Sequence, residues 1–235
     1  MTTKETLNEW QRAEFAVKHS NRVLLYGLPG TGKTYFGLTN NTTNAYRLIC
    51  TEEMTDADLI GCYKQNGQGT WSFAEGVGIK AWREGARLVV DEINRMNGDV
   101  ESRMMALIDS TASSSWQHPD TGEIVKPNPS FSVVATMNGE PDDLAPAILD
   151  RLTVRCQVNN PHPDAIASLP DYLRSLATKM TDPSAPTRYS LRSFVDFNAM
   201  YQSSNNLDFA AQVVFPNDYE QIVDVLKVAS VKASV

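Results

Sequence analysis

The sequence predicts an α/β fold: a three-layer core on a mainly parallel, five-stranded sheet, followed by a smaller all-helical part. Three observations carry this. Val23–Tyr26 is an apolar run that leads into a glycine-rich loop and then a helix-compatible stretch. Further β-rich runs at Ala45–Cys50, Arg87–Glu92, Phe131–Thr136 and Leu152–Val158 alternate with helical patterns, as parallel strands joined by helical crossovers do. Beyond Asn159-Asn160-Pro161-His162-Pro163, a boundary signal, every pattern is helical.

Each element follows from its residues. Thr6 and Glu9 fit a capping box for a first helix with Trp10, Ala13, Phe15 and Val17 on its apolar side. After the glycine loop, Tyr35–Leu38 continues a helix that ends near Asn40-Asn41, and a short helix over Asp56–Ile60 ends at Gly61. Tyr63–Phe73 reads as a hairpin around glycines, an unusual insertion between two helices. Gly76–Glu84 is helical and Gly85 stops it. Val100–Ile108 is a helix; Ser113–Pro129 is polar, with a turn at Asp120-Thr121-Gly122 that suggests a second hairpin. Leu144–Leu149 is a short helix, and Arg151 follows it. The helical remainder holds Ala165–Leu169, Tyr172–Met180, Leu191–Tyr201, Leu207–Val214 and Tyr219–Val231. The expected division is a core over residues 1–160 and a helical domain over 161–235.

Composition narrows the function. A hydrophobic share of 42% in 235 residues suits a soluble globular protein, and no apolar run reaches the length of a membrane span. The start, Met1-Thr-Thr-Lys-Glu5, lacks an apolar signal region, so the expected location is the cytoplasm. A net charge of −7 argues against a nucleic-acid partner. Cys50, Cys62 and Cys156, with His19, His118 and His162, show no metal-ligand spacing.

The chemistry starts at Gly27-Leu28-Pro29-Gly30-Thr31-Gly32-Lys33-Thr34, which matches G-x-x-x-x-G-K-[ST] between a strand and a helix. Backbone N–H groups converging on a polyphosphate need glycines where a Cβ would block approach. Lys33 then reaches the β- and γ-phosphates and the Thr34 hydroxyl ligates Mg²⁺. With Tyr35 these residues form the candidate nucleotide-binding set. Asp91-Glu92 ends an apolar strand, where ligands of open α/β sheets bind. Asp91 there can hold Mg²⁺, directly or through water, while Glu92 polarises an attacking water. Exposed acids capping a strand are the plain alternative. Asn138 can position that water or sense the γ-phosphate, or serve only as a turn residue with Gly139. Arg151 can supply charge to a developing phosphate, or simply pair with Asp150. Arg192, in Tyr189-Ser-Leu-Arg192, is a second phosphate-sensor candidate or an exposed helix-start arginine.

Taken in order, Gly27–Thr34, Leu88–Arg95 (Leu-Val-Val-Asp-Glu-Ile-Asn-Arg), Ala135–Asn138, Leu149-Asp-Arg151 and Ser190-Leu-Arg192 resemble the AAA+ ATPases, specifically the MoxR-like branch. The likeness covers nearly all of residues 20–200, and both Asp-Glu-Ile-Asn-Arg and the stretch Gly76–Glu92 are distinctive in it. The resemblance implies a P-loop NTPase core with a helical lid, ATP and Mg²⁺ as ligands, and the following roles. Gly27, Gly30, Gly32, Lys33 and Thr34 would be Walker A; Asp91 and Glu92 would be Walker B, with Glu92 the catalytic base. Asn138 would be sensor 1, Arg151 (or Arg155) the arginine finger and Arg192 sensor 2. The Tyr63–Phe73 and Ser113–Pro129 hairpins would be the inserts that face a central pore or a client. The family commonly forms head-to-tail hexameric rings that remodel a protein client, often with a von Willebrand A domain partner or during metal-cofactor insertion. Gly139-Glu-Pro-Asp-Asp143 departs from MoxR wording toward CbbQ, NorQ and cobaltochelatase small subunits.

Three other functions compete: a nucleic-acid motor or its regulatory subunit, a nucleotide-gated scaffold with little turnover, and a small-molecule P-loop kinase. The hairpins carry only Lys64 and Lys126 as basic residues, against the first. The full set of hydrolytic residues argues against the second, and the Asp-Glu pair with two arginines against the third.

Overall fold

The computed structural model describes residues 7–232 apart from 66 and 68. Contacts divide the chain into two units, residues 1–27 with 33–158 and residues 28–32 with 159–235.

The first unit opens with helix α1 (Glu9–His19). Its cap is Asn8, whose side chain accepts from the Gln11 N–H at 2.9 Å while Gln11 accepts from the Asn8 N–H at 2.9 Å. The expected cap at Thr6 lies outside the described residues. The buried stripe is Trp10, Ala13 and Ala16, and Phe15 falls off it: that ring is 59% exposed and stacks on His19 instead.

Strand β1 (Arg22–Tyr26), helix α2 (Lys33–Thr39), β2 (Ala45–Ile49) and the short α3 (Asp56–Leu59) follow. After them come a hairpin of β3 (Gly61–Gln65) and β4 (Trp71–Glu75), then α4 (Val77–Glu84), β5 (Arg87–Asp91) and α5 (Gly98–Ile108). A small hairpin of β6 (Trp116–Gln117) and β7 (Ile124–Val125) precedes β8 (Ser132–Thr136), α6 (Pro146–Arg151) and β9 (Val154–Gln157). Arg151 therefore closes a helix rather than following one.

Five strands form one parallel sheet in the order β2-β5-β8-β1-β9. Alternate residues serve opposite faces. Leu24, Leu88, Val90, Val133 and Ala135 join Trp82, Met104 and Ile108 in one cluster. Val23, Leu25 and Val134 join Trp10 and Phe36 in the other. Burial on both sides explains why these strands read as unbroken apolar runs rather than alternating ones. Arg87, a buried charge opening β5, donates to the Gly37 and Asn40 carbonyls at 3.1 and 2.5 Å and so caps the end of α2.

Both predicted hairpins are present, and they are fastened to each other. Arg83 on α4 donates to Glu75 at 2.8 Å and, through both terminal nitrogens, to Glu123 at 2.7 and 2.8 Å. The Phe73 N–H donates to Asp120 at 2.8 Å, and the Phe73 ring packs on Trp116 and His118 with centroids 5.6 and 5.5 Å apart.

The second unit is helical: α7 (Pro163–Ala167), α8 (Asp171–Thr181), α9 (Leu191–Ser204), α10 (Leu207–Val214) and α11 (Tyr219–Lys232). Its core gathers Leu173, Phe194, Phe197, Phe215 and Ile222. The Tyr189 hydroxyl donates to Asp218 at 2.5 Å. Burial, together with that carboxylate, pushes the Tyr189 pKa up to about 12.

Gly85 stops α4 in the left-handed conformation, φ 66°, and an added Cβ would stand 2.9 Å from the Asn128 side chain. Strain and crowding act together there. Gly85→Ala should lower unfolding free energy by about 1–3 kcal/mol in urea titrations. A loss under about 0.5 kcal/mol would mean that the turn relaxes freely.

Candidate active site

The sheet order sets the carboxyl ends of β5, β8 and β1 side by side, and the predicted residues cluster there. Gly27 and Gly139 close a bridge between the segments leaving β1 and β8.

Asp91, 5% exposed, is the centre of the cluster. Its Oδ1 accepts from Thr34 Oγ1 at 2.7 Å and from Thr136 Oγ1 at 2.5 Å. Its Oδ2 accepts from Arg47 Nε at 3.1 Å and Nη2 at 2.5 Å. Burial alone would raise its pKa; the bonds from Thr136, Arg47 and Thr34 and the Arg47 charge outweigh it and hold the carboxyl below its usual range. An ionised carboxylate in contact with a hydroxyl is a hard-oxygen pair, the donor chemistry that Mg²⁺ takes.

Glu92 has φ 56°, left-handed for a residue with a side chain, and a single 3₁₀ turn over Ile93–Arg95 follows. That reversal sends two adjacent carboxylates different ways. Asp91 enters the buried cluster, while Glu92 pairs through Oε2 with Arg95 Nε and receives Asn138 Nδ2 at 3.5 Å on Oε1. Asn138 also accepts from Lys33 Nζ at 3.2 Å, and Lys33 donates to the Gly27 carbonyl at 3.2 Å. One amide thus links Lys33 to Glu92. Next to Asp91, the buried Cys50 thiol has its pKa pushed up to about 12 by burial and by the charges of Asp91 and Glu92, which leaves it protonated and inert.

The remaining candidates make contacts of their own. In the second unit, the Leu28 N–H donates to Asn159 Oδ1 at 3.1 Å, Thr31 Oγ1 to the Leu28 carbonyl at 3.3 Å, and the His162 N–H to the Thr31 carbonyl at 3.0 Å. Arg188 Nη2 donates to the Pro29 carbonyl at 3.1 Å. Gly30 has φ 72°, and a Cβ on it would lie 2.6 Å from that of Ser190. Arg192 is exposed in the first turn of α9, and Tyr35 is 63% exposed on α2. Arg151 donates to the Ala147 carbonyl at 2.9 Å and to Asp109 at 3.1 Å, beside a cavity of about 240 Å³ lined also by Arg22 and Asp150. Arg155 donates to the Leu149 and Leu152 carbonyls at 2.8 and 2.9 Å.

Sequence reasoning missed Arg47 and Thr136. The available signals were slight: a single charge inside the apolar Ala45–Cys50 run, and a hydroxyl ending an otherwise apolar strand.

Comparison with known proteins matches residues 22–152 to the AAA domain (dynein-related subfamily). Midasin of Dictyostelium discoideum is 31% identical over 129 residues, 54% of this chain and 2% of that protein. An uncharacterized protein of Staphylococcus haemolyticus is 32% identical over 126 residues, 51% of this chain and 47% of that protein. The chain thus spans about half of the staphylococcal relative and a small part of midasin. A crystal structure of a protein from Cytophaga hutchinsonii aligns with TM-score 0.48 and 17% identity over 93% of this chain and 66% of that one.

Thr136→Val keeps the shape of a side chain only 2% exposed and removes a hydroxyl donated to Asp91. Because the carboxylate loses a buried donor, unfolding free energy should fall by about 1–3 kcal/mol, measured by chemical denaturation at neutral pH. Stability equal to wild type would show that Asp91 does not depend on this bond.

Proposed function

The chain belongs to the dynein-related AAA domain family, the AAA+ ATPases, and from that premise we propose that it hydrolyses ATP in a Mg²⁺-dependent reaction to remodel or activate a protein client, as a MoxR-like ring ATPase. The observation that carries the reading is the continuous set of contacts Thr34–Asp91 and Lys33–Asn138–Glu92 at the strand ends. In this reading the Gly27–Thr34 loop, with Leu28, Pro29, Gly30, Thr31 and Gly32, binds the triphosphate, and Tyr35 lies beside it. Lys33 binds its terminal phosphates. Thr34 and Asp91 hold Mg²⁺, which supplies charge neutralisation on the phosphate oxygens. Glu92 orients the attacking water and takes its proton, and Asn138 fixes Glu92 and Lys33 at the separation that one amide spans.

Arg151 bonds to Asp109 and Ala147, on its own α5–α6 side, and among the described residues it makes no bond to the Asp91–Glu92–Asn138 group. That suits a finger offered to a neighbouring subunit. Such a head-to-tail interface closes into a ring, here proposed as a hexamer. Arg192 is proposed as the sensor of the helical unit. The joined hairpins, with Trp71 66%, Ile124 57% and Tyr63 47% exposed, are the proposed client contact. An apolar, aromatic surface on a chain of net charge −7 suits a protein client better than a nucleic acid.

Glu92→Gln should bind ATP with affinity close to wild type and lose turnover by about 10²-fold or more in a phosphate-release assay. Lys33→Ala should weaken ATP binding itself. Equal turnover in Glu92→Gln and wild type would remove Glu92 from the mechanism. Native mass spectrometry with a non-hydrolysable ATP analogue and Mg²⁺ should show a ring, and monomers alone would refute the assembly.

A further inference from the structure

If Thr34 and Asp91 hold the divalent cation, as proposed above, one charge in the cluster still has no task. Arg47 stands on β2, the edge strand beside β5. Ile49 pairs in register with Asp91, and Arg47, two residues earlier, lies on the same face. Its guanidinium spans that offset and places Nε and Nη2 on the same carboxylate oxygen, at 3.1 and 2.5 Å. The other oxygen takes the hydroxyls of Thr34 and Thr136.

The two partners differ in freedom. The Asp91 side chain is 7% exposed and locked by three residues, whereas Arg47 is 45% exposed. A buried carboxylate stripped of its counter-charge is costly, but a half-exposed guanidinium returns to water cheaply. Arg47 is therefore the detachable member of the pair. A cation bound through Thr34 and Asp91 would lie close to the Arg47 charge while that pair persists, and like charges at that range oppose each other.

We propose that Arg47 is a positioning residue that stands in for the divalent cation: it holds Asp91 while the site is free of metal, and its charge sets the cation concentration that the site demands. Binding of nucleotide with Mg²⁺ then loosens Arg47 from Asp91. Removing the charge should make the site take Mg²⁺ more readily, which a merely structural role would not do.

The test titrates MgCl₂ into the full chain with a fluorescent, non-hydrolysable ATP analogue. In Arg47→Gln the half-saturating Mg²⁺ concentration should fall by about threefold to tenfold, the scale of one partly screened charge a few ångströms away. Analogue affinity in EDTA should stay within about twofold of wild type, since Arg47 is assigned to the metal and not to the phosphates. Arg47→Lys, which keeps the charge, should return the half-saturating concentration toward wild type. An unchanged or raised value in Arg47→Gln overturns the proposal. Should that variant not fold, wild type provides the test by NMR. The Arg47 Nε–H signal, assigned by its loss in Arg47→Lys, should exchange faster with water once Mg²⁺ and analogue are added; no change overturns the proposal. Analogue binding by wild type that is indifferent to Mg²⁺ would instead refute the functional reading on which this one rests.

Discussion

A single buried carboxylate organises the site. Asp91 sits at the end of a strand that is buried along its whole length, where an ionised group survives only if every oxygen is paired. Four donors from three segments meet that demand: Thr34 on α2, Thr136 on β8 and two guanidinium nitrogens of Arg47 on β2. The same bonds that solvate the carboxylate tie α2, β2, β5 and β8 together. Packing and chemistry are here one constraint, because any shift of a strand by one residue would both unpair Asp91 and turn its face of the sheet.

Strand order explains why these segments can meet. β8 lies between β5 and β1, so a residue just past its end stands between the Asp91-Glu92 pair and the loop that follows β1. Asn138 occupies that place and touches both Lys33 and Glu92. In sequence these three residues are scattered over more than a hundred positions, and only the parallel crossovers bring them together.

Much of this was readable from the chain. The five strands, both hairpins and the Gly85 stop were visible because unbroken apolar runs and glycine punctuation are local signals. Lys33 and Thr34 stand out by the glycine-loop spacing, and Asp91, Glu92 and Asn138 because they lie at or just past the ends of such runs. Arg47 and Thr136 were not, since their meaning is carried by neighbours in space. An arginine inside Ala-Tyr-Arg-Leu-Ile-Cys announces nothing until β2 is paired with β5. The first cap shows a different limit: Thr6, the expected cap, lies outside the described residues, and the cap that the structure shows is Asn8. Thr6–Glu9 and Asn8–Gln11 offer the same chemistry two residues apart, and a pattern cannot say which turn starts the helix. Phe15 is apolar yet exposed because it lies off the Trp10–Ala13–Ala16 stripe, and apolar character alone does not decide burial.

The backbone at Glu92 is where the separation of tasks is enforced. Two successive residues of a regular strand point to opposite faces, and Glu92 would then be carried away from Asn138 or into the packed layers. A left-handed turn at φ 56° prevents this, at a cost of order 1 kcal/mol for a residue with a side chain. The turn persists because both sides are fixed. Asp91 is held by its four donors, the Glu92 N–H donates to Thr136 Oγ1 at 3.4 Å, and Ile93 is fully buried. Thr136 thereby serves both acids, one through its hydroxyl proton and one through its lone pair. The strain leaves Asp91 in a dry, cation-paired setting and Glu92 partly open to water at 31% side-chain exposure. For the roles proposed above, Asp91 is thereby kept ionised, and Glu92 is left within reach of water.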